Sequence, residues 1–470
     1  MYERIPHSAR APLHRKVAFA LERERADGVP VAATELATHF EKAREPMLAL
    51  RYYAQAAEAA LAKSAASECV SLTDRGLGLL PQAPEGAERD SLEIALATHR
   101  GTAATQVAGL GEETKRSFQH AYALLRDVPQ HPMRRRVIQA LGLTLSLCGD
   151  FAGALAVAEH AEALSTVEND AALMLAACVT RAHVYQHQAR SQAARTWIER
   201  GLVTAERLDA TSIEAFLVDP EVLLLGLHGI ELVRLGLVEQ AQARVQQAQA
   251  RAAEVNQPMT RLTAVWFEAL LEVRIGNVQR IATLAAQMRG LIDQFQLAQR
   301  PVCESFRGWA EARMGQPREG YERIRRTYEA NQRLGMLAGS SEVLGYAAEA
   351  LVLAGDPESA ERELAEAFDI AEKIGERLYL PQLFLTEAAI ARMRGESDAA
   401  EASVRRAVAE ARAQEAPWFE LKALVDLCEH QGAGVEDQCA LAALANRLPE
   451  AVDTTPGQRA RALLKKAKLA

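Results

Sequence analysis

The chain has 470 residues, a formal net charge of −8, 49% hydrophobic residues and only 5% aromatics. A composition rich in Ala, Leu, Glu, Arg and Gln favours helix and argues against a large sheet. The acidic balance gives no support to nucleic-acid binding, and no apolar run reaches membrane-spanning length or marks a signal peptide. Six scattered cysteines form no CxxC pair and read as small buried residues in a reducing, cytoplasmic setting.

In chain order, residues 1–30 fit no repeat. Arg10 to Leu21 predicts a basic amphipathic helix, broken at Gly28-Val29-Pro30. Residues 31–108 predict irregular hairpins. The first has helices over 35–43 and 49–57; two further helices are split by the proline-bearing stretch 80–86. Residues 109–452 form a regular array. Residues 453–470 predict a last helix over 457–468 that carries Arg459, Arg461, Lys465, Lys466 and Lys468 and caps the array.

The regularity of 109–452 rests on nine anchors: Gly109, Gly149, Ala189, Gly236, Gly276, Gly315, Gly355, Gly395 and Gly434. Their spacing is 40 residues give or take one, with a single long step of 47 that carries an insertion near Asp219-Pro220. Counting from each anchor, position +5 is mostly small, as in Ala154, Ala194 and Ala360. Position +9 is mostly apolar, as in Phe118, Ile198 and Leu364, and position +12 is again mostly small. Position −7 holds only Gly or Ala, from Gly142 to Ala388. Positions +5, +9 and +12 share one helix face. A glycine at the anchor can end the first helix in a left-handed conformation, and Asp, Asn, Gln or Pro after it suits the start of the next. Small residues at −7 and +5 let the two helices approach closely. Each hairpin then has an apolar face that only a stacked neighbour can bury.

This grammar resembles the tetratricopeptide repeat (TPR), although the period departs from that family's 34 residues. Units of about 40 residues look like the longer hairpins in the sensor regions of bacterial signal-transduction ATPases and transcriptional regulators. Tyr2 to Pro6, followed by Leu13-His14-Arg15, is similar to the end of the winged-helix segment that precedes such repeats. The resemblance implies an all-α fold, a right-handed α-solenoid of antiparallel hairpins, and a sensor half. The chain has no GxxxxGK[ST] of its own and so is expected not to bind ATP.

Carried over from the TPR family, the groove-facing residues of each first helix correspond to −10, −6, −3 and −2. That correspondence puts His183, His187, Arg234, Trp266, Arg274, Trp309, Arg313, Glu349 and Arg392 on the concave side. Three successive hairpins place arginine at −2: Arg234, Arg274 and Arg313. Guanidinium groups hold carboxylates in two-pronged hydrogen bonds, and neighbouring Trp266 and Trp309 could hold an apolar group beside them. The expected partner is a protein or peptide, acidic or C-terminal, in a groove centred on 183–313. Against it stands the plainer expectation that these arginines are solvated or pair with groove glutamates such as Glu231 and Glu272, and that the tryptophans are core. His183 and His187 have a metal-compatible i, i+4 spacing, but no third ligand is evident and no metal is expected.

No catalytic constellation is present: neither GxSxG nor a strand-borne glycine-rich turn occurs. The expectation is a non-catalytic sensor or scaffold without cofactor, which regulates an attached or separate ATPase. The competing expectation is a receptor for a small molecule such as a sugar or metabolite. A peptide groove should be long and open; a small-molecule site should be one pocket where the array tightens, with the Asp219-Pro220 insertion as a candidate place.

Overall fold

A computed structural model describes residues 6–208, 216–297, 300–430 and 433–467. Among these residues there are twenty-three α-helices and no strand. They are α1 His7–Ala26, α2 Ala33–Lys42, α3 Pro46–Ala62, α4 Ala66–Leu79, α5 Ala87–Val107, α6 Glu112–Leu124, α7 Arg134–Leu147 and α8 Phe151–Glu168. Next come α9 Ala171–His187, α10 Ser191–Ala205, α11 Pro220–Arg234, α12 Val238–Val255, α13 Pro258–Ile275, α14 Val278–Phe295, α15 Arg300–Arg313 and α16 Pro317–Leu334. The last are α17 Ser340–Leu353, α18 Pro357–Ile374, α19 Leu380–Met393, α20 Ser397–Ala413, α21 Pro417–Glu429, α22 Val435–Arg447 and α23 Thr455–Lys466. The fold is an all-α solenoid of TPR-like antiparallel hairpins, and none of the described helices is long and apolar enough to cross a membrane. Its helices divide into two compact units, 1–144 and 145–470. The division falls inside α7 and not at 108/109, where the repeat becomes regular.

In the first unit the N-terminal helix is part of the core. Ala18 of α1 is buried, Phe19 packs edge-on against Phe40 of α2, and Phe40 stacks on Tyr52 of α3. Tyr52 donates a 2.6 Å hydrogen bond to Glu22 of α1. The predicted hairpins at 35–43 and 49–57 are α2 and α3, and the stretch 80–86 separates α4 from α5.

The second unit shows why the anchors recur. Gly149, Gly236, Gly276, Gly315, Gly355 and Gly395 all have φ between 76° and 95°, a region that costs most side chains about 1–2 kcal/mol. Ala189 takes the same turn at φ 57°. Positions +5, +9 and +12 of the hairpins that start at Gly149, Ala189, Gly236, Gly276, Gly315, Gly355 and Gly395 are buried. Close approach is most severe between α15 and α16. A Cβ on Gly308, at −7, would lie 2.6 Å from the Gly320 carbonyl oxygen, at +5. A second set of left-handed residues, Asn169, Asn256, Gln296, Gly335 and Gly375, ends the second helix of five hairpins. The last anchor departs from the pattern. Gly434 has φ −78° and caps the start of α22, where Asp437 accepts its N–H. Cys439 and Ala443 are therefore exposed, and Leu441 and Leu444 are buried instead. The final helix starts at Thr455, with Thr454 as its N-cap, two residues before the predicted start; Lys468 lies outside the described residues.

Successive turns of this second unit touch. The N–H groups of Leu337 and Ala338 donate to the Leu147 carbonyl, each at 3.1 Å. One hairpin on, Arg377 and Leu378 donate to the His187 carbonyl at 2.8 and 3.2 Å. Glu450 accepts from the Glu239 N–H at 2.8 Å and from the Gln240 side chain at 2.8 Å, and Leu448 lies against Gly236. The carbonyls at helix ends have no intrahelical partner. Here Leu147 and His187, at the C-termini of α7 and α9, find theirs on loops 190 residues later in the chain.

Candidate partner-binding site

The inter-turn seam decides the fate of the −2 ladder. His187 is bonded through Nδ1 to Glu376 at 2.6 Å, and Glu376 also accepts from Ser341 Oγ at 2.6 Å and the Gly339 N–H at 2.8 Å. Glu376 is buried; burial works to raise its pKa, yet the His187 contact and the other donors hold it below the usual carboxylate range. His183 is buried beside His187, with ring centroids 4.6 Å apart. Burial, helped by His187, pushes its pKa well below the ordinary histidine value.

Arg234 has no exposed side-chain surface. Its Nη1 donates to both oxygens of Glu231, at 3.1 and 3.0 Å, and its Nη2 donates to Gln414 on the next turn, at 3.2 Å. Glu231 also accepts from Gln186 and Ser191, so this buried carboxylate is fully satisfied. Arg274 is buried too. It donates to Glu342 at 3.1 Å and lies between the rings of Tyr379 and Phe419, 5.5 and 5.8 Å from their centroids. These two arginines and the two histidines do not line an open groove. The next turn of the same chain covers them, which supplies the partner that the sequence left open. Glu231 pairs with Arg234 as the plainer expectation had it; the partner of Arg274 is Glu342 and not Glu272.

Trp266 is half-buried and packs edge-on against Phe267. Trp309 is buried, and the Arg313 guanidinium lies 3.8 Å from its ring centroid. Around the insertion, Asp219 is a buried N-cap that accepts the Val222 N–H at 3.0 Å and pairs with Arg251, also at 3.0 Å. Residues 209–215 lie outside the described residues.

The third ladder arginine stands differently. Arg313 lines a cavity of about 420 Å³ in the second unit. Helix α15 gives Arg313; α17 gives Glu349, Val352 and Leu353; α19 gives Gln382, Leu385, Thr386 and Ala389. Helix α21 gives Lys422, Val425 and Asp426, and α23 closes one side with Pro456 and Arg459. Arg313 pairs with Glu349, which also accepts from Gln382 at 2.9 Å and from the Tyr379 hydroxyl at 3.4 Å. Arg392 pairs with Asp426 on the cavity wall, and Arg459 pairs with Glu429. Lys422 donates to the Gln382 amide oxygen. Burial, opposed by Glu349 and helped by Arg274, Arg313 and Arg459, lowers its pKa to about 8.

Of the nine expected residues, Arg313 and Glu349 therefore line this cavity, with Trp309 beneath and Arg392 behind. Sequence reasoning missed Lys422, Gln382, Asp426 and Arg459. Gln382 shares position −13 with Glu342, and Lys422 sits at −12 before the shortened last step. That is a position the family correspondence does not mark. Arg459 belongs to a helix outside the repeat.

No protein-family model and no curated protein matches the chain. Solved structures with similar backbones include the Rap protein complexed with competence and sporulation factor, at TM-score 0.47 and 13% identity over 71% of this chain and 98% of that one. Cut9 in the APC/C hetero-tetramer Cut9–Hcn1 is similar at TM-score 0.48 and 12% identity over 97% of this chain and 93% of that one. Human IFIT1, as a dimer with m7Gppp-AAAA, is similar at TM-score 0.43 and 11% identity over 88% of this chain and 90% of that one.

Proposed function

We propose that the chain is a non-catalytic sensor and scaffold module, and that it takes up a protein or peptide partner at the concave cavity between α15, α17, α19, α21 and α23. In this reading partner uptake regulates a signalling ATPase, attached or separate. The observation that carries it is the change along the ladder: His187, Arg234 and Arg274 are covered by a following turn, whereas Arg313 and Glu349 line a cavity among the described residues. The cavity combines apolar walls with a few charged groups, the usual make-up of a binding site. Leu353 is 53% exposed on its wall, so the cavity can be blocked without disturbing core. Native mass spectrometry of the protein purified from its source cell, wild type beside Leu353→Trp, tests this. The expected outcome is a co-purifying protein or peptide that is lost from the variant. A partner equally retained by Leu353→Trp would sink the reading.

One observation favours a second reading, a small-molecule receptor. The stretch of concave face left open is short, and about 420 Å³ lies in the size range of pockets for drug-sized ligands. In the same experiment, a co-purifying species of small-molecule mass, lost on Leu353→Trp, would select it.

A further inference from the structure

The charges around the cavity do not cancel in pairs. Arg313 is matched by Glu349, Arg392 by Asp426 and Arg459 by Glu429. Among the described residues Lys422 has no carboxylate partner; its ammonium rests on a neutral amide oxygen, that of Gln382, and lies 5.7 Å from the Phe419 ring centroid. A desolvated cation whose direct contacts are neutral groups, with the Glu349 carboxylate attracting it only from beyond ion-pair distance, is costly unless something else compensates it. Arg313 adds a second group short of a partner: among the described residues its Nη1 is buried and makes no hydrogen bond, while its other arm holds Glu349. Lys422 and Arg313 both line the same cavity, whose remaining wall includes Val352, Leu353, Leu385, Ala389 and Val425.

We propose that this cavity is a monocarboxylate site, in which one carboxylate on an apolar stem sits against Lys422 and Arg313 and the stem lies along the aliphatic wall. The proposal rests on the reading of the cavity as the binding site and names its ligand chemistry. A single negative charge is what the site lacks, since four cations there face three carboxylates. A phosphate dianion would bring one charge too many against Glu349 and Asp426. A carboxylate adds the attraction of an opposite charge that the neutral Gln382 oxygen does not supply, so the ligand displaces the Gln382 contact with a gain. Gln382 keeps its bond to Glu349 when Lys422 lets go. The carboxylate can belong to a free organic acid or to the C-terminus of a chain, and both present the same group.

The test uses the full chain in a carboxylate-free buffer. Five probes are compared by calorimetry: hexanoate, hexanamide, inorganic phosphate, N-acetyl-Ala-Leu as the free acid, and its C-terminal amide. In parallel, the acetylation rate of Lys422 by an amine-reactive ester is followed by mass spectrometry. The expected result is binding of the acids alone, with slowed acetylation of Lys422 and with affinity about tenfold weaker in Lys422→Met. Tighter binding of hexanoate assigns the site to free acids, and tighter binding of the dipeptide assigns it to chain ends. Acid and amide binding equally, phosphate protecting as well as hexanoate, or no acid binding at all would each overturn the proposal. The comparison of acid with amide is made on the wild-type chain, so it holds even where Lys422→Met folds poorly. Partner loss on Leu353→Trp with no preference for acids would leave the cavity as the binding site and remove only its carboxylate chemistry.

Discussion

At the scale of the residue, Arg234, Arg274 and Arg313 are indistinguishable in the sequence. Each stands two places before a glycine anchor on the same helix face. The structure gives them three different surroundings, because the side chains they meet come from 180, 68 and 36 residues further along, and only the first two arginines are covered. Sequence spacing fixes which side of a hairpin a residue occupies. It does not say whether a later turn will arrive there. The energetic consequence is testable. Removing one partner of a buried, hydrogen-bonded ion pair strands the other, at a cost of about 3–5 kcal/mol. Arg234→Ala, which leaves Glu231 charged and dry, should lower stability by about that much in urea titration. Arg412→Ala, which breaks a half-exposed pair with Glu420, should change it by less than about 1 kcal/mol. Equal effects from the two substitutions would mean that Glu231 is hydrated and that the seam at Arg234 is open in solution.

At the scale of the element, the hairpin was legible in detail. Small residues at −7 and +5, apolar ones at +9 and a left-handed anchor are local requirements, and each is met within about twenty residues of sequence. The left-handed ends of the second helices were not read, because Asn169, Asn256 and Gln296 do not announce themselves as Gly335 and Gly375 do. The final anchor misled for a related reason. A glycine serves as well at a helix N-cap as at a C-terminal turn, and Gly434 serves as the former. The contact of Gly308 with Gly320 is the hairpin's most demanding feature. A Cβ on Gly320 would also come within 2.9 Å of Ala312. Gly320→Val should therefore wedge α15 from α16 and cost about 1–3 kcal/mol. Gly290→Val, at a position with open space, should be neutral or slightly stabilising, since valine has a better helix propensity than glycine. Similar thermal midpoints for the two variants would show that the hairpin can relax around the wedge.

At the scale of the whole second unit, the 40-residue period implied stacking and curvature but not pitch. Pitch decides whether consecutive turns stand apart or touch, and it depends on small rotations between hairpins that no motif encodes. Here they touch, and two buried titratable groups, Glu376 and His183, lie against His187 at the contact. Glu376 has a depressed pKa, so its contribution is present above the ordinary carboxylate range and is lost only as pH falls below about 4. His183 also has a depressed pKa, which means that its burial beside His187 holds it neutral. When the seam opens, His183 regains water and binds a proton below about 6.5. Its contribution to closure is therefore complete above that pH and falls steadily below it. Between pH 7.5 and 5.5 His183 should weaken the seam while Glu376 does not. Hydrogen exchange at the Leu337, Ala338, Arg377 and Leu378 amides, corrected for intrinsic rates, should accelerate over this interval. His183→Gln, which cannot titrate, should abolish the acceleration and leave the exchange of α20 and α21 unchanged. If the variant accelerated as much as the wild type, the acid sensitivity would belong to another group and the seam would not be proton-linked at this histidine.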